Sequence, residues 1–187
     1  SVEPFKKLVH QGIILGEDGS KMSKSRGNVV NPDTVVAEYG ADTFRLYEMF
    51  MGPLEQMKPW QSKSIEGIYR FLGRVYRLYF GNTNSEENAP AKPTLNAKLL
   101  APPADEKAVL KVLHQTIKKV GDDIETLSLN TAISQMMIFV NEAYRVESIG
   151  KEAATAFIKV LAPFAPHMAE EIWQALGEQG SVCDAAW

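Results

Sequence analysis

Five segments of this chain carry apolar residues at helical spacing, and this periodicity is the feature that most constrains the fold. The first segment runs from about residue 64 to 80 with Ile65, Ile68 and Leu72 on one face. The other four are marked by Leu110 to Ile124, Ile133 to Tyr144, Ala153 to Leu161 and Met168 to Leu176. Because amphipathic helices bury their apolar faces against one another, the pattern predicts a mainly α chain with a helical bundle over residues 61–187.

Local signals set the ends of these helices. Asn130 is placed to cap the third helix of the bundle, and Pro166 to open the last one, which Gly177 follows. Residues 82–104 are rich in Asn, Pro and Ala and show no periodicity, which predicts a linker.

The first 60 residues read differently, as a small mixed α/β unit. Residues 3–11 are predicted to form a short helix with Pro4 in its first turn, and residues 13–15 a buried strand. Residues 16–19 then form a hairpin turn. Asn31 and Pro32 start a helix that Gly40 ends, and Asp42 is predicted to cap a second helix that stops at residues 52–53.

Between the turn and the helix lies Lys21-Met22-Ser23-Lys24-Ser25-Arg26-Gly27. Its two lysines are compact ammonium donors three residues apart, and its serines add hydroxyls and approachable backbone amides. Such a set suits a polyphosphate whose charge shifts during a reaction, although the segment lacks the Gly-Lys-Ser/Thr ending of a Walker A loop. Two solvated surface lysines are the commoner interpretation of an isolated pair at this spacing.

The run Lys21-Met22-Ser23-Lys24-Ser25 resembles the signature of class I aminoacyl-tRNA synthetases. The order and spacing of the segments around it are similar to the leucyl-tRNA synthetase family more than to the valyl, isoleucyl or methionyl enzymes. The segments that carry this resemblance are Gly27-Asn28-Val29-Val30-Asn31-Pro32, Tyr39-Gly40-Ala41-Asp42-Thr43, Gly52-Pro53-Leu54-Glu55, Gly67-Ile68-Tyr69-Arg70-Phe71 and Leu161-Ala162-Pro163-Phe164-Ala165-Pro166-His167. The resemblance covers nearly the whole chain.

The resemblance implies a site and a reaction. In the family, the loop closes over ATP while the carboxylate of the amino acid attacks the α-phosphate, with Mg²⁺ present. By resemblance, Lys24 stabilises the migrating phosphate charge and Lys21 assists loop closure and phosphate contact. Met22 anchors the loop, and Ser23 and Ser25 lie near the nucleotide, so residues 21–25 are the expected ATP-binding set. Arg26 is either a phosphate ligand or a surface residue.

A second candidate site is a basic strip on the first long helix. Lys63, Arg70, Arg74 and Arg77 follow one another at intervals of seven, four and three residues, so one helical face carries all four. The strip is either a phosphate-tracking surface for tRNA(Leu) or an ordinary solvated face, with equal support. The net charge of −3 disfavours indiscriminate nucleic-acid binding, so any RNA contact must be local.

The resemblance also implies the organisation of the chain. Residues 1–60 correspond to the end of the catalytic domain with a stem-contact unit, and residues 61–187 to an anticodon-binding-type helical domain. The His-Ile-Gly-His-type motif, the leucine pocket and any editing domain of the family are missing, and the chain begins without methionine. We therefore expect a C-terminal fragment that is inactive alone, from a monomeric enzyme. Another class I synthetase (methionyl or isoleucyl) and a non-catalytic helical RNA-binding module are the alternatives.

Composition excludes several other classes. The single cysteine, Cys183, leaves no internal disulfide framework and fits a reducing compartment, so a cytoplasmic location is expected. The sequence shows no secretory leader. It also shows no apolar run that approaches the length of about 20 residues needed to span a bilayer. His10, His114 and His167 lie on separate elements without carboxylates at ligand spacing, so no metal site is predicted.

Overall fold

Helices dominate the computed structural model, which describes residues 4–81 and 93–186. The mainly α prediction is therefore confirmed. In chain order the elements are β1 (Ile14–Leu15), α1 (Pro32–Tyr39), α2 (Ala41–Phe50), β2 (Lys58–Pro59), α3 (Ser62–Phe80), α4 (Ala97–Leu100), α5 (Glu106–Glu125), α6 (Leu129–Ala143), α7 (Lys151–Leu161) and α8 (Pro166–Ala175). Within the described ranges, no helix is both long and apolar enough to cross a membrane.

The first unit is built on a two-stranded parallel sheet. β1 pairs with β2 so that Ile14 lies opposite Lys58, and α1 and α2 fill the crossover between the two strands. Upstream of β1, the Gly12 amide donates to the Leu54 carbonyl at 2.8 Å. A Cβ on Gly12 would lie 2.0 Å from the Gln56 carbonyl oxygen, so this close approach of two backbones requires glycine.

The start of α1 follows the local signals in its sequence. The Asn31 side chain accepts a hydrogen bond from the Asp33 amide, Pro32 occupies the first turn, and Gly40 ends the helix at a φ of 85°. The predicted role of Asp42 is wrong, because α2 begins at Ala41 directly after Gly40 and no side chain caps it. Asp42 lies inside the first turn of α2, and its carboxylate turns away to bond the distant helix α8.

The five predicted bundle helices all form, as α3 and α5–α8. Their apolar faces meet in one core, in which Phe139 of α6 stacks on Phe157 of α7 with ring centroids 4.4 Å apart. The Tyr79 hydroxyl of α3 is fully buried and donates to the Ala154 carbonyl at 2.8 Å, and this burial raises the pKa of Tyr79. α3 is thereby fixed to α7 by a hydrogen bond as well as by apolar packing.

The predicted cap of α6 is wrong by two residues. Ser128 precedes the helix and Asn130 lies inside its first turn. The preceding turn is fixed by Asp123, whose carbonyl accepts from the Ser128 amide at 2.8 Å and whose carboxylate accepts from the Thr131 hydroxyl at 2.7 Å. Because these contacts set where the chain turns, α6 starts earlier than its asparagine indicated.

Two further expectations need correction. Residues 4–11 are not helical. Phe5 and Leu8 are 83% and 77% exposed, so the described residues do not bury the apolar face that would stabilise a short helix there. The predicted linker over 82–104 falls partly outside the described residues, at 82–92. In its described part the one-turn helix α4 forms, because Leu99 is buried and the Asn96 side chain accepts from its amide.

Candidate functional site

The lysine-rich segment leaves from a tight reversal after β1. The Gly16 amide donates to the Ser20 carbonyl at 2.8 Å, and the Gly19 amide donates to the Gly16 carbonyl at 2.9 Å. Leu15 and Lys21 then face each other in an antiparallel bridge. The predicted turn over residues 16–19 is confirmed, and it brings the chain back beside β1 before the lysines begin.

The lysine loop, residues 21–27, has a defined backbone. Met22 is half-buried and packs against the hydrophobic core, as expected for a residue that anchors the loop. A 3₁₀ turn over Lys24–Arg26 follows and ends at Gly27, which adopts a φ of 69° and donates its amide to the Lys24 carbonyl at 3.2 Å. The Ser23 and Ser25 hydroxyls lie 2.8 Å apart.

The cationic side chains of the loop face solvent. Lys21, Lys24 and Arg26 are exposed, and none takes part in an ion pair with the residues that the structure describes. Three positive charges within six residues are therefore not neutralised within the described chain. An arrangement of this kind attracts an anion, and phosphate groups match ammonium and guanidinium donors.

Residues on both sides of the loop close its base. The Asn28 side chain lies between the returning chain and the turn, where it bonds Asp18, Ser20 and the Ser23 amide. Sequence reasoning assigned no role to Asp18 or Ser20 and quoted Asn28 only for its resemblance. In the sequence these residues are an Asp-Gly-Ser turn and a Gly-Asn pair, with a spacing of ten residues between the aspartate and the asparagine. This spacing predicts a contact only if the chain is known to fold back between them.

The turn is also tied to the long helix α3. The Glu17 carboxylate accepts a hydrogen bond from the amide of Ser62, the first residue of α3, at 2.9 Å. The N-cap residue of α3, Gln61, makes no capping bond with its side chain, so Glu17 takes that place. Hydrogen bonding to Ser62 lowers the pKa of Glu17, with a smaller contribution from the charge of Lys63. This hydrogen bond links the turn before the lysine loop to the start of α3.

The basic strip on α3 divides into two kinds of residue. Lys63, Arg70 and Arg77 are exposed, whereas Arg74 is half-buried. Arg74 donates to the Asn141 side chain at 2.8 Å, and its guanidinium carbon lies 4.9 Å from the centroid of the Tyr144 ring. The Tyr144 hydroxyl donates in turn to the Arg74 carbonyl at 2.8 Å. Arg74 therefore fastens α3 to α6, and three cations of the strip remain turned to solvent.

A groove of about 650 Å³ lies beside this strip, between the first unit and the bundle. Tyr39 and Tyr69 meet edge to face on its wall with ring centroids 5.8 Å apart, and Arg77 and His167 also line it. The Tyr76 hydroxyl donates to the Glu171 carboxylate at 3.4 Å. The groove thus combines aromatic faces with the guanidinium of Arg77 and the carboxylate of Asp42.

Asp42 links the first unit to the bundle. Its carboxylate, in a residue only 8% exposed, accepts from the Met168 amide at 2.8 Å and lies 2.8 Å from Nδ1 of His167. One turn along α2, Arg45 donates to the Pro163 carbonyl at 3.1 Å. α2 therefore bonds both sides of the corner between α7 and α8. Asp42 accepts from the backbone at the start of α8, and Arg45 donates to a backbone carbonyl just after α7.

The histidines do not converge. His167 contacts Asp42 at the start of α8, while His10 precedes β1 and His114 lies exposed on α5. Among the described residues there is no group of three or more His, Cys, Asp or Glu side chains placed to hold a metal ion.

Family models match both parts of the chain. Residues 1–58 match the model described as tRNA synthetases class I (I, L, M and V), and residues 106–187 match the anticodon-binding domain of tRNA ligase. The first match includes the whole lysine loop, and the second begins with α5.

Individual relatives are similar over almost the full chain. The chain is 53% identical over 180 residues to a leucine–tRNA ligase of Leptospira biflexa and to one of Chloroherpeton thalassium, and 51% identical to one of Chlorobium chlorochromatii. These alignments take in 96% of the chain but only 20–21% of the relatives, so the chain spans about a fifth of their length.

A solved structure agrees with the sequence relatives. In the crystal structure of the ternary complex of Agrobacterium radiobacter K84 agnB2 LeuRS, tRNA and LeuAMS, 24% of the protein chain superposes on 99% of this one, with a TM-score of 0.81 and 30% identity. Sequence, family models and fold converge on one assignment: the chain belongs to the leucine–tRNA ligases among the class I aminoacyl-tRNA synthetases, and matches a segment of them.

Proposed function

We propose that this chain is the part of a leucine–tRNA ligase that supplies the phosphate-stabilising loop and a tRNA-binding helical surface. The observation that carries the proposal is the lysine loop, a defined backbone turn whose cations have no ion-pair partner in the described chain, within a segment that matches class I synthetases. Residues 1–60 would form the loop-bearing unit, and residues 61–187 the helical domain.

The parent reaction has two steps. The leucine carboxylate attacks the α-phosphorus of ATP, so that the new bond joins leucine to AMP while the bond to the β-phosphate breaks and pyrophosphate leaves. The terminal adenosine of tRNA(Leu) then attacks the leucyl carbonyl through a ribose hydroxyl, and AMP leaves. Negative charge moves onto pyrophosphate only in the first step.

Within this reaction we assign separate roles to the two lysines. The Lys24 ammonium stabilises the charge that grows on the departing pyrophosphate, which makes it a transition-state contact. Lys21 contacts the phosphates as the loop closes. Ser23 and Ser25 lie beside the nucleotide with Met22 as the anchor. Arg26 is exposed in the same 3₁₀ turn as Lys24 and is a further candidate for phosphate.

Mg²⁺ belongs to this proposal as a companion of ATP. The described residues contain no carboxylate or histidine cluster that would hold it. Because Mg²⁺ keeps most of its waters and binds substrate phosphates in sites of this kind, the residues of this segment fit an ion that arrives with the nucleotide. Bound with ATP, the ion would neutralise part of the phosphate charge, and Lys21 and Lys24 would act on the phosphates beside it.

For tRNA we propose that Lys63, Arg70 and Arg77 contact phosphate groups, since all three are exposed on one face of α3. Arg74 adds its charge to this face while it packs against α6. The proposal further includes a monomeric enzyme in the cytoplasm, consistent with a single exposed cysteine.

Amino-acid-dependent pyrophosphate exchange by the full-length protein tests this function. We expect exchange that depends on leucine and is at least about 100-fold less efficient with isoleucine, valine or methionine. The 187-residue chain alone, which lacks the remaining parts of the site, should give no exchange. Exchange that prefers methionine or isoleucine would reassign the amino acid, and a full-length protein without exchange would favour a non-catalytic RNA-binding module.

A further inference from the structure

We infer that Asn28 is a positioning residue for amino acid activation, and that with Asp18 and Ser20 it forms a latch at the base of the lysine loop. The inference rests on the proposed function, because it explains how Lys21 and Lys24 are held for phosphate. The three latch residues contact one another and the loop backbone, and none of them is assigned a contact with substrate.

The Asn28 amide group connects both sides of the loop base. Its Nδ2 donates to the Ser20 hydroxyl at 3.0 Å and lies 3.2 and 3.3 Å from the two carboxylate oxygens of Asp18. Its Oδ1 accepts from the Ser23 amide at 2.8 Å. A single side chain thus bonds the turn before the loop and the backbone inside it, across ten residues of sequence.

Asp18 is itself fixed in place. Its carboxylate accepts from the Ser20 amide at 3.0 Å and from the Ser20 hydroxyl at 2.7 Å. These bonds, followed by the one from Asn28, lower the pKa of Asp18, so the group is a carboxylate at neutral pH. Asp18 is therefore available to accept a hydrogen bond from Asn28 at neutral pH.

The latch is packed against the backbone of the turn. A Cβ on Gly16 would lie 2.8 Å from an Asp18 carboxylate oxygen and 2.9 Å from Nδ2 of Asn28. Gly16 is itself buried, so a larger residue would displace the latch. The space at the loop base is thus matched to these two side chains.

The position of Ser23 explains why the latch acts on catalysis. Its amide lies between Lys21 and Lys24 in sequence, and the bond to Asn28 fixes that peptide while both lysine side chains remain exposed. Reacting groups that are displaced by about 1 Å lose roughly 100-fold in rate, so a support of this kind contributes without touching substrate. Nothing in the latch neutralises the lysines.

The test uses the full-length ligase and leucine-dependent pyrophosphate exchange. We expect Asn28→Ala to lower kcat about 10- to 100-fold, with KM for leucine and for ATP within about threefold of wild type. Asn31→Ala is the matched control, since Asn31 lies three residues on and only caps α1 through the Asp33 amide. That control should keep wild-type kcat.

A charge swap separates positioning from folding. Asn28→Asp alone places two carboxylates together and should lower kcat at least about tenfold, because like charges repel at this distance. Adding Asp18→Asn restores one donor and one carboxylate to the pair, and we expect kcat to return to within about fivefold of wild type. This pair decides the question even if Asn28→Ala does not fold.

A double-mutant cycle with Lys24→Ala completes the experiment. If Asn28 acts through Lys24, the two losses in kcat should combine to clearly less than their product. Wild-type kcat in Asn28→Ala, or no recovery in the swapped pair, would overturn the latch while leaving the proposed function standing. A wild-type enzyme without leucine-dependent exchange would overturn the proposed function, and the latch with it.

Discussion

Arg74 and Arg70 lie one turn apart on the same face of α3, yet their replacement by glutamine should have different consequences. Arg74 donates a 2.8 Å hydrogen bond to Asn141 and stacks over Tyr144, whereas Arg70 is exposed. We expect Arg74→Gln to reduce folding stability and Arg70→Gln to reduce the affinity for tRNA.

The structure sets the size of both effects. A hydrogen bond from a charged donor contributes about 1.5–3 kcal/mol, near the lower end at this half-buried position, and the cation–π contact about 0.5–1 kcal/mol. Arg74→Gln should therefore lower the free energy of unfolding by about 2–2.5 kcal/mol, which corresponds to a Tm roughly 4–10 °C lower. Arg70→Gln should stay within about 0.5 kcal/mol of wild type, as exposed substitutions do.

Two assays separate the residues. Urea denaturation of the 187-residue chain measures stability, and tRNA binding by the full-length enzyme at several salt concentrations measures phosphate contacts. Arg70→Gln should flatten the plot of log K against log salt by roughly 0.7–0.9, and Lys63, Arg70 and Arg77 replaced together by roughly 2–3. An unchanged slope in the triple variant would refute the proposed RNA contact, and unchanged stability in Arg74→Gln would refute the packing role.

Two further predictions concern stability. Asp42→Ala should lower the free energy of unfolding, measured by urea titration, by about 1–2 kcal/mol, because the first turn of α8 loses the carboxylate that accepts from its amides. Asp33→Ala is the control: Asp33 also occupies the second position of its helix but is exposed, and its loss should cost less than about 0.5 kcal/mol. Hydrogen bonds from Gln174, Ser181 and Val182 lower the pKa of Glu170, so the stability it provides is complete above the unfolded pKa of about 4.3 and is lost as pH falls through the folded value. The protection factor of the Val182 amide, which is the intrinsic exchange rate divided by the observed rate, should decrease as pH falls through that range, and Glu170→Gln should remove this pH dependence.

Local signals predicted the elements that depend on neighbouring residues. The start of α1 is marked by Asn31 and the proline that follows it, and the start of α8 by Pro166. In both cases the signal lies within the first residues of the helix itself. The apolar stripe of α3 likewise identified a helix whose partners are themselves amphipathic. The mainly α fold class could be predicted because the apolar periodicity of each helix is visible in its own segment of sequence.

Local patterns carry less information where a side chain bonds a distant part of the chain. An aspartate two residues after a glycine has the same local pattern whether it caps its own helix or, like Asp42, accepts from an amide 126 residues away. The difference between Arg74 and its exposed neighbours depends on Asn141, 67 residues further on. Periodicity near Phe5 indicated a helix, although no described residue covers that apolar face.

The most direct test of the account is the rate of leucyl-adenylate formation by Lys24→Ala in the full-length enzyme, measured in a single turnover. Because charge develops on pyrophosphate only as the bond breaks, we expect activation to slow by about 10²–10³ while the affinity for ATP changes little. Transfer from preformed leucyl-adenylate to tRNA should be affected less, since pyrophosphate has already left. Activation within about threefold of wild type, with ATP affinity lost, would instead make Lys24 a ground-state anchor and contradict the assigned role of the lysine loop.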